Sequence, residues 1–135
     1  MKSMHSIILI GNDSYGILLK DELKKCKYKL FFSAKPKSGL DKARVKRPDI
    51  LIINCVYQSS FMIFDLIKEI RSDSRLKGSI LLVLSENADE FDKSLSLELG
   101  ADEYMVKPAS INEILFKLKC LLRLKSFYNR GKLEK

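Results

Sequence analysis

The sequence predicts an α/β domain, a five-stranded parallel sheet with helices on both faces. Three observations lead there. Short apolar runs alternate with segments of helical period along the chain. The run Ile50-Leu51-Ile52-Ile53 is continuously apolar, as a strand buried on both faces requires. The connections between segments are short, which packs the alternation into one three-layer sandwich. In such sheets ligands gather beyond the carboxyl ends of the strands, and Asn54 stands at the end of this central run.

Taken in order, Ser6–Ile10 is a buried strand that stops at Gly11-Asn12-Asp13. Asn12, Asp13 and Ser14 are all good N-cap types, and a helix over about 14–25 follows, with Tyr15, Leu18, Leu19 and Leu23 at helical spacing. Tyr28–Ser33 is a second short strand. Pro36 starts a basic helix running to about Lys46, with Leu40 and Ala43 facing inward. After the central strand, a helix over about 60–71 carries Ile63, Phe64, Ile67 and Ile70 on one face. Ser79–Leu84 is a fourth buried strand. A helix over about 89–99 ends at Gly100, the expected place for a glycine C-cap. Tyr104–Val106 is a short fifth strand ending at Lys107-Pro108. Ser110-x-x-Glu113 is a capping box that opens a last helix, with Ile111, Ile114, Leu115, Leu118, Leu121 and Leu122 on one stripe. Periodicity fades after about Ser126, so residues 1–126 are read as the domain and 127–135 as a frayed tail or linker stub.

A chain of 135 residues is one domain's worth and can bury a real core. No apolar run approaches the roughly 20 residues that span a bilayer. The segment Met1–His5 lacks the apolar stretch of a secretory signal. Cys26, Cys55 and Cys120 are odd in number and widely spaced, which reads as reduced thiols in a cytoplasmic protein. The formal charge of +8 is uneven: Lys20–Arg47 carries net +8, Pro48–Phe116 net −6, and the remainder from Lys117 net +6. Such runs read first as solvated helix faces. The sharper readings are an anionic partner, nucleic acid included, or head-to-tail pairing of unlike flanks. No helix-turn-helix module, zinc finger or aromatic-studded strand appears, so direct nucleic-acid binding is not expected.

Over about residues 5–125 the chain resembles a receiver domain of the two-component response-regulator family. The resemblance rests on the strand ending in Asn12-Asp13, the Pro-Asp-Ile-Leu-Ile-Ile-Asn strand at 48–54, Leu84-Ser85, and Gly-Ala-Asp-Glu-Tyr at 100–104 followed by Lys107-Pro108. The order and spacing of these pieces make the match specific. It implies a flavodoxin-like sandwich with strand order 2-1-3-4-5 and a pocket at the carboxyl ends of strands one, three, four and five.

In the family, as the resemblance implies, a histidine kinase passes a phosphoryl group to an aspartate in that pocket. An acidic pair after the first strand and the acceptor aspartate hold Mg²⁺; a Thr or Ser and a Lys grip the phosphoryl oxygens. The pair falls here on Asn12 and Asp13, the acceptor on Asn54, the hydroxyl on Ser85, the lysine on Lys107, and the aromatic switch on Tyr104. Two of three carboxylates are therefore amides. The loop Cys55–Met62 also lacks the family's usual Met-Pro and Asp-Gly. A neutral, delocalised amide offers no nucleophilic oxygen, so no acyl phosphate is expected at Asn54. Asp13 beside Lys107 leaves a near-neutral pocket, and neither Mg²⁺ nor any other cofactor is expected.

Each residue also has a plain reading. Asn12 and Asn54 would then cap strands and helices, and Lys107 would pair with Asp13 or bond Asn54, holding the pocket closed. Ser85 is either a strand terminus or a switch hydroxyl. Tyr104 is either packing or a recognition aromatic beside the last helix. Cys55 is favoured as a buried, inert thiol, and His5 carries no role. The sequence therefore points to a pseudo-receiver, not an enzyme, that signals by phosphorylation-independent contact with a protein partner through the fourth helix, fifth strand and fifth helix. Homodimerisation is open, and no membrane contact is expected. The other readings are a phosphoacceptor using another carboxylate such as Asp13, or a nucleic-acid-associated regulator through the basic flank or an output domain.

Overall fold

The computed structural model of the chain describes residues 4–56 and 60–133. Five strands alternate with five helices: β1 (Ser6–Ile10), α1 (Ser14–Lys24), β2 (Lys29–Ser33), α2 (Pro36–Lys46), β3 (Ile50–Asn54), α3 (Ser60–Ser72), β4 (Ile80–Ser85), α4 (Glu90–Leu99), β5 (Glu103–Val106) and α5 (Ile111–Leu133). The strands form one sheet in the order β2-β1-β3-β4-β5, and every pair is parallel. The fold is the flavodoxin-like sandwich that the sequence predicts.

The continuous apolar runs follow from the two-residue period of a strand. Ile8, Ile10, Leu51, Ile53, Leu81 and Val83 point to one face, where α2, α3 and α4 cover them. Their neighbours Ile7, Leu9, Ile50, Ile52, Leu82 and Leu84 point to the other, under Leu19 and Leu23 of α1 and Ile114 and Leu118 of α5. Edge strand β2 is less buried. The ammonium groups of Lys20 and Lys46 lie 4.8 Å and 4.9 Å from the ring centres of Phe32 and Phe31, so charged side chains cover an edge that would otherwise invite pairing.

Local signals terminate the elements. Asp49 accepts a bond from the Ser6 N–H (2.8 Å) while its own N–H donates to the Ser6 hydroxyl (3.1 Å), so β1 and β3 start level. Gly100 ends α4 with φ +132. The Ser110 hydroxyl accepts from the Glu113 N–H at 3.1 Å to start α5.

Three expectations need correction. Leu18 is 55% exposed, because the buried stripe of α1 runs through Gly16, Leu19 and Leu23. The last helix does not fray at Ser126 but continues to Leu133, since the local backbone bonds of a helix need no apolar stripe to continue. Parts of the charged surface are also more than solvated. Arg44 on α2 bridges Asp41, Glu69 and Asp73. Arg71 at the end of α3 donates to the carbonyls of Gly100, Lys77 and Ser79 and to Asp102, tying the α3–β4 and α4–β5 connections together at one end of the sheet.

Candidate functional site

The carboxyl ends of β1, β3 and β5 bring Asp13, Asn54 and Lys107 into direct contact. Asn54 is 3% exposed. Its amide nitrogen donates to Asp13 Oδ1 at 2.8 Å and, more weakly, to the Gly11 carbonyl at 3.4 Å. Lys107 donates to Asn54 Oδ1 (2.7 Å), the Cys55 carbonyl (2.8 Å) and Asp13 Oδ2 (3.1 Å), so the three hydrogens of its ammonium each have an acceptor. Asp13 is also the N-cap of α1, with Oδ1 accepting from the Gly16 N–H at 2.8 Å. Burial alone would raise its carboxyl's pKa. The bonds from Gly16, Asn54 and Lys107, with the charge of Lys107, outweigh that and hold it below the ordinary carboxylate range. The Cys55 thiol is pushed up to about 11 by burial, against the pull of Lys107, which keeps it protonated and inert at neutral pH.

Two glycines allow this closeness; the sequence reading named Gly11 only as a strand stop and passed over Gly16. A methyl on Gly16 would sit 2.1 Å from the Gly11 carbonyl oxygen and 2.7 Å from Asn54 Nδ2. One on Gly11, whose φ is +118, would sit 2.2 Å from the Asn54 carbonyl oxygen. The first turn of α1 therefore rests directly on the end of β3. The only local hint was glycine early in an amphipathic helix, a position with a propensity cost that some close contact must justify.

The remaining predicted residues are arranged differently from expectation. Asn12 is exposed and stays outside the polar cluster. The Ser85 hydroxyl serves the β4–α4 loop, accepting from the Asn87 N–H at 3.1 Å. Tyr104 is 5% exposed, so its ring packs in the core. Its hydroxyl donates to the Asn87 carbonyl at 2.7 Å, and burial raises its pKa. Asn87, which sequence reasoning missed, is the hub of this second cluster. Its Oδ1 accepts from the Asp89 N–H at 2.9 Å, and its Nδ2 donates to the buried carboxylate of Asp92. Tyr104→Phe is expected to cost about 1 kcal/mol, the usual worth of one such bond, because the ring stays packed; urea unfolding checks it.

One carboxylate faces the cluster, its oxygens are engaged by three donors, and an ammonium already supplies the positive charge. Among the described residues, no three His, Cys, Asp or Glu side chains gather to hold a metal.

No protein-family model matches the sequence. Among curated proteins, the chain is 32% identical over 122 residues to the alkaline phosphatase synthesis transcriptional regulatory protein PhoP of Bacillus subtilis, covering 89% of this chain and 50% of that protein. It is 29% identical over 118 residues to the response regulator ArlR of Staphylococcus aureus, covering 86% and 52%. The chain thus spans about half the length of these relatives. Among solved structures, a CheY-like receiver domain protein from Methanospirillum hungatei superposes with TM-score 0.80 at 19% identity, over 93% of this chain and 99% of that one. The chemotaxis response regulator CheY4 of Vibrio cholerae gives 0.74 at 22% identity, over 87% and 98%. At such identities the structural likeness speaks for the fold, and the curated relatives carry the sequence side. The strand order is that of the CheY-like fold, and over 86–89% of its length the chain is similar to these two regulators.

Proposed function

We propose that the chain is a receiver domain of the response-regulator family and, within it, a pseudo-receiver: it takes part in signal transduction through contact with a protein partner and accepts no phosphoryl group. The observation that carries the reading is the Lys107 ammonium bonded to Asn54 Oδ1, Asp13 Oδ2 and the Cys55 carbonyl. The lysine that would grip phosphoryl oxygens in the family is satisfied internally, and the residue at the acceptor position is its amide partner.

The partner surface is formed by α4, β5 and α5. Each presents a large apolar side chain to solvent: Phe91 on α4, Val106 on β5 and Phe116 on α5. Tyr104 acts on this face from beneath, through its bond to the loop that precedes α4. With the aromatic already buried, the domain rests in the arrangement that the family reaches on phosphorylation, and output is set by partner binding or abundance. Asp13 as a substitute acceptor is disfavoured, because both of its oxygens are already engaged. A nucleic-acid-associated role is the second reading, favoured by a relative named as a transcriptional regulator and about twice as long; salt-dependent retention on DNA distinguishes it.

Thermal denaturation tests the pocket chemistry. Millimolar MgCl₂ is expected to leave the melting temperature unchanged relative to NaCl at matched ionic strength. A bound ion at 100 times its dissociation constant would add about 2.7 kcal/mol, a rise of several degrees. Such a Mg²⁺-specific rise would contradict the proposal. Asn54→Asp alone is expected to leave the result flat, since Asn12 remains neutral and the new carboxylate meets Lys107.

A further inference from the structure

At the opposite end of the sheet from the polar cluster, α5 runs past the turn that joins α1 to β2. The two enclose a groove of about 650 Å³. Lys27 from that turn and Lys119 and Arg123 from α5 line it, and no carboxylate does. All three cations are exposed, and none has an ion-pair partner among the described residues. By contrast, Lys117, on the same helix, is paired with Glu103 at 2.9 Å. The floor is apolar: Leu115, Leu122 and the Tyr28 ring, all half-buried. Lys119 and Arg123 also belong to a stretch with net charge +6 from Lys117 onward, and Lys27 to the net +8 stretch from Lys20 to Arg47.

We propose that this groove is a second docking site, for an acidic segment of a partner protein that lays an apolar side chain over Leu115 and Leu122 and sets carboxylates against Lys27, Lys119 and Arg123. Unpaired cations of one sign steer and orient an anionic partner, while the apolar floor provides the anchor that holds it. The floor is the reason to prefer a peptide to a nucleic acid, whose binding rests mainly on phosphate charge. A second copy of this chain paired symmetrically through this groove would bring the same net positive flank toward itself, which disfavours that pairing. The site goes beyond the pseudo-receiver reading and does not depend on it.

The test is fluorescence anisotropy of the full chain, without phosphate donor or Mg²⁺, against a labelled synthetic helical peptide bearing leucines one turn apart among glutamates. Binding is expected, and Lys119→Glu with Arg123→Glu should weaken it about tenfold, roughly 1.4 kcal/mol. The charge-matched pair Lys37→Glu with Lys68→Glu should leave it unchanged. Amide chemical-shift changes on the unaltered chain should centre on Tyr28, Leu115 and Leu122, which keeps the result independent of how the variants fold. No binding, equal weakening by both charge pairs, or undiminished binding of a peptide with serine for leucine overturns the proposal. So does an oligothymidylate that competes fully, or self-association that Arg123→Glu abolishes. A phosphorylated chain would refute the pseudo-receiver reading and leave this measurement untouched.

Discussion

Replacing Lys107 with Met lowers the unfolding free energy by about 3 kcal/mol, the low end of the cost of breaking a buried ion pair by removing one partner. The low end applies because the Lys107 side chain is 3% exposed whereas that of Asp13 is 28% exposed, so water partly compensates the stranded carboxylate. Methionine keeps the length and apolar stem of the lysine. What it loses is the donor to Asp13 Oδ2, Asn54 Oδ1 and the Cys55 carbonyl. For a chain of this size the loss lowers the melting temperature by roughly 10 °C.

A pH signature accompanies it. The Asp13 carboxyl is held below its ordinary value in the folded state. Its contribution to stability is therefore fully present above the unfolded value near 4 and is lost as pH falls through the folded value. The variant lacks part of that contribution. The stability curves of the two proteins should lie apart at neutral pH and approach one another as pH drops below about 4. Parallel curves down to strong acid would remove Asp13 from the account.

The second large effect is expected at Gly16. Gly16→Ala should destabilise the domain by about 2 kcal/mol, even though alanine favours a helix over glycine by about 1 kcal/mol. The new methyl meets the Gly11 carbonyl at 2.1 Å and Asn54 Nδ2 at 2.7 Å, and backbone cannot move aside as a flexible side chain can. The first turn of α1 must lift, which strains the bonds from the Gly16 N–H to Asp13 and from Asn54 to Asp13. Gly78→Ala is the matched control. A methyl there has nothing within 4 Å, so its effect should stay within about 0.5 kcal/mol. Urea unfolding of both variants decides it, and equal midpoints would mean that the close approach at Gly16 is not real.

The contrast between these glycines shows where sequence reading succeeds and where it stops. The elements were legible because their signals are local: continuous apolar runs for two-sided burial, Asp13 and Ser110 at helix starts, and Gly100 at a helix end. Asp13, Asn54 and Lys107 were legible as candidates because each stands at a strand end. Gly16 was missed because its reason is tertiary, a close approach to the Gly11 carbonyl at the end of β1 and to Asn54, 38 positions away in the chain. Asn87 was missed for the same cause, since an asparagine before an N-cap reads as ordinary turn chemistry until Tyr104 is seen to meet its carbonyl. Leu18 was misplaced because helical spacing finds an apolar stripe but does not fix which edge of it reaches the sheet. Arg71 looked like a solvated charge until the α3–β4 connection and the distant α4–β5 connection were found to converge on it.

The central claim is that the domain accepts no phosphoryl group because its acceptor position is an amide locked to its own lysine. Intact mass of the unaltered chain after incubation with acetyl phosphate and Mg²⁺ tests this most directly. The account predicts a single, unchanged mass over hours. A stoichiometric gain of one phosphoryl group, released by hydroxylamine as an acyl phosphate would be, contradicts it.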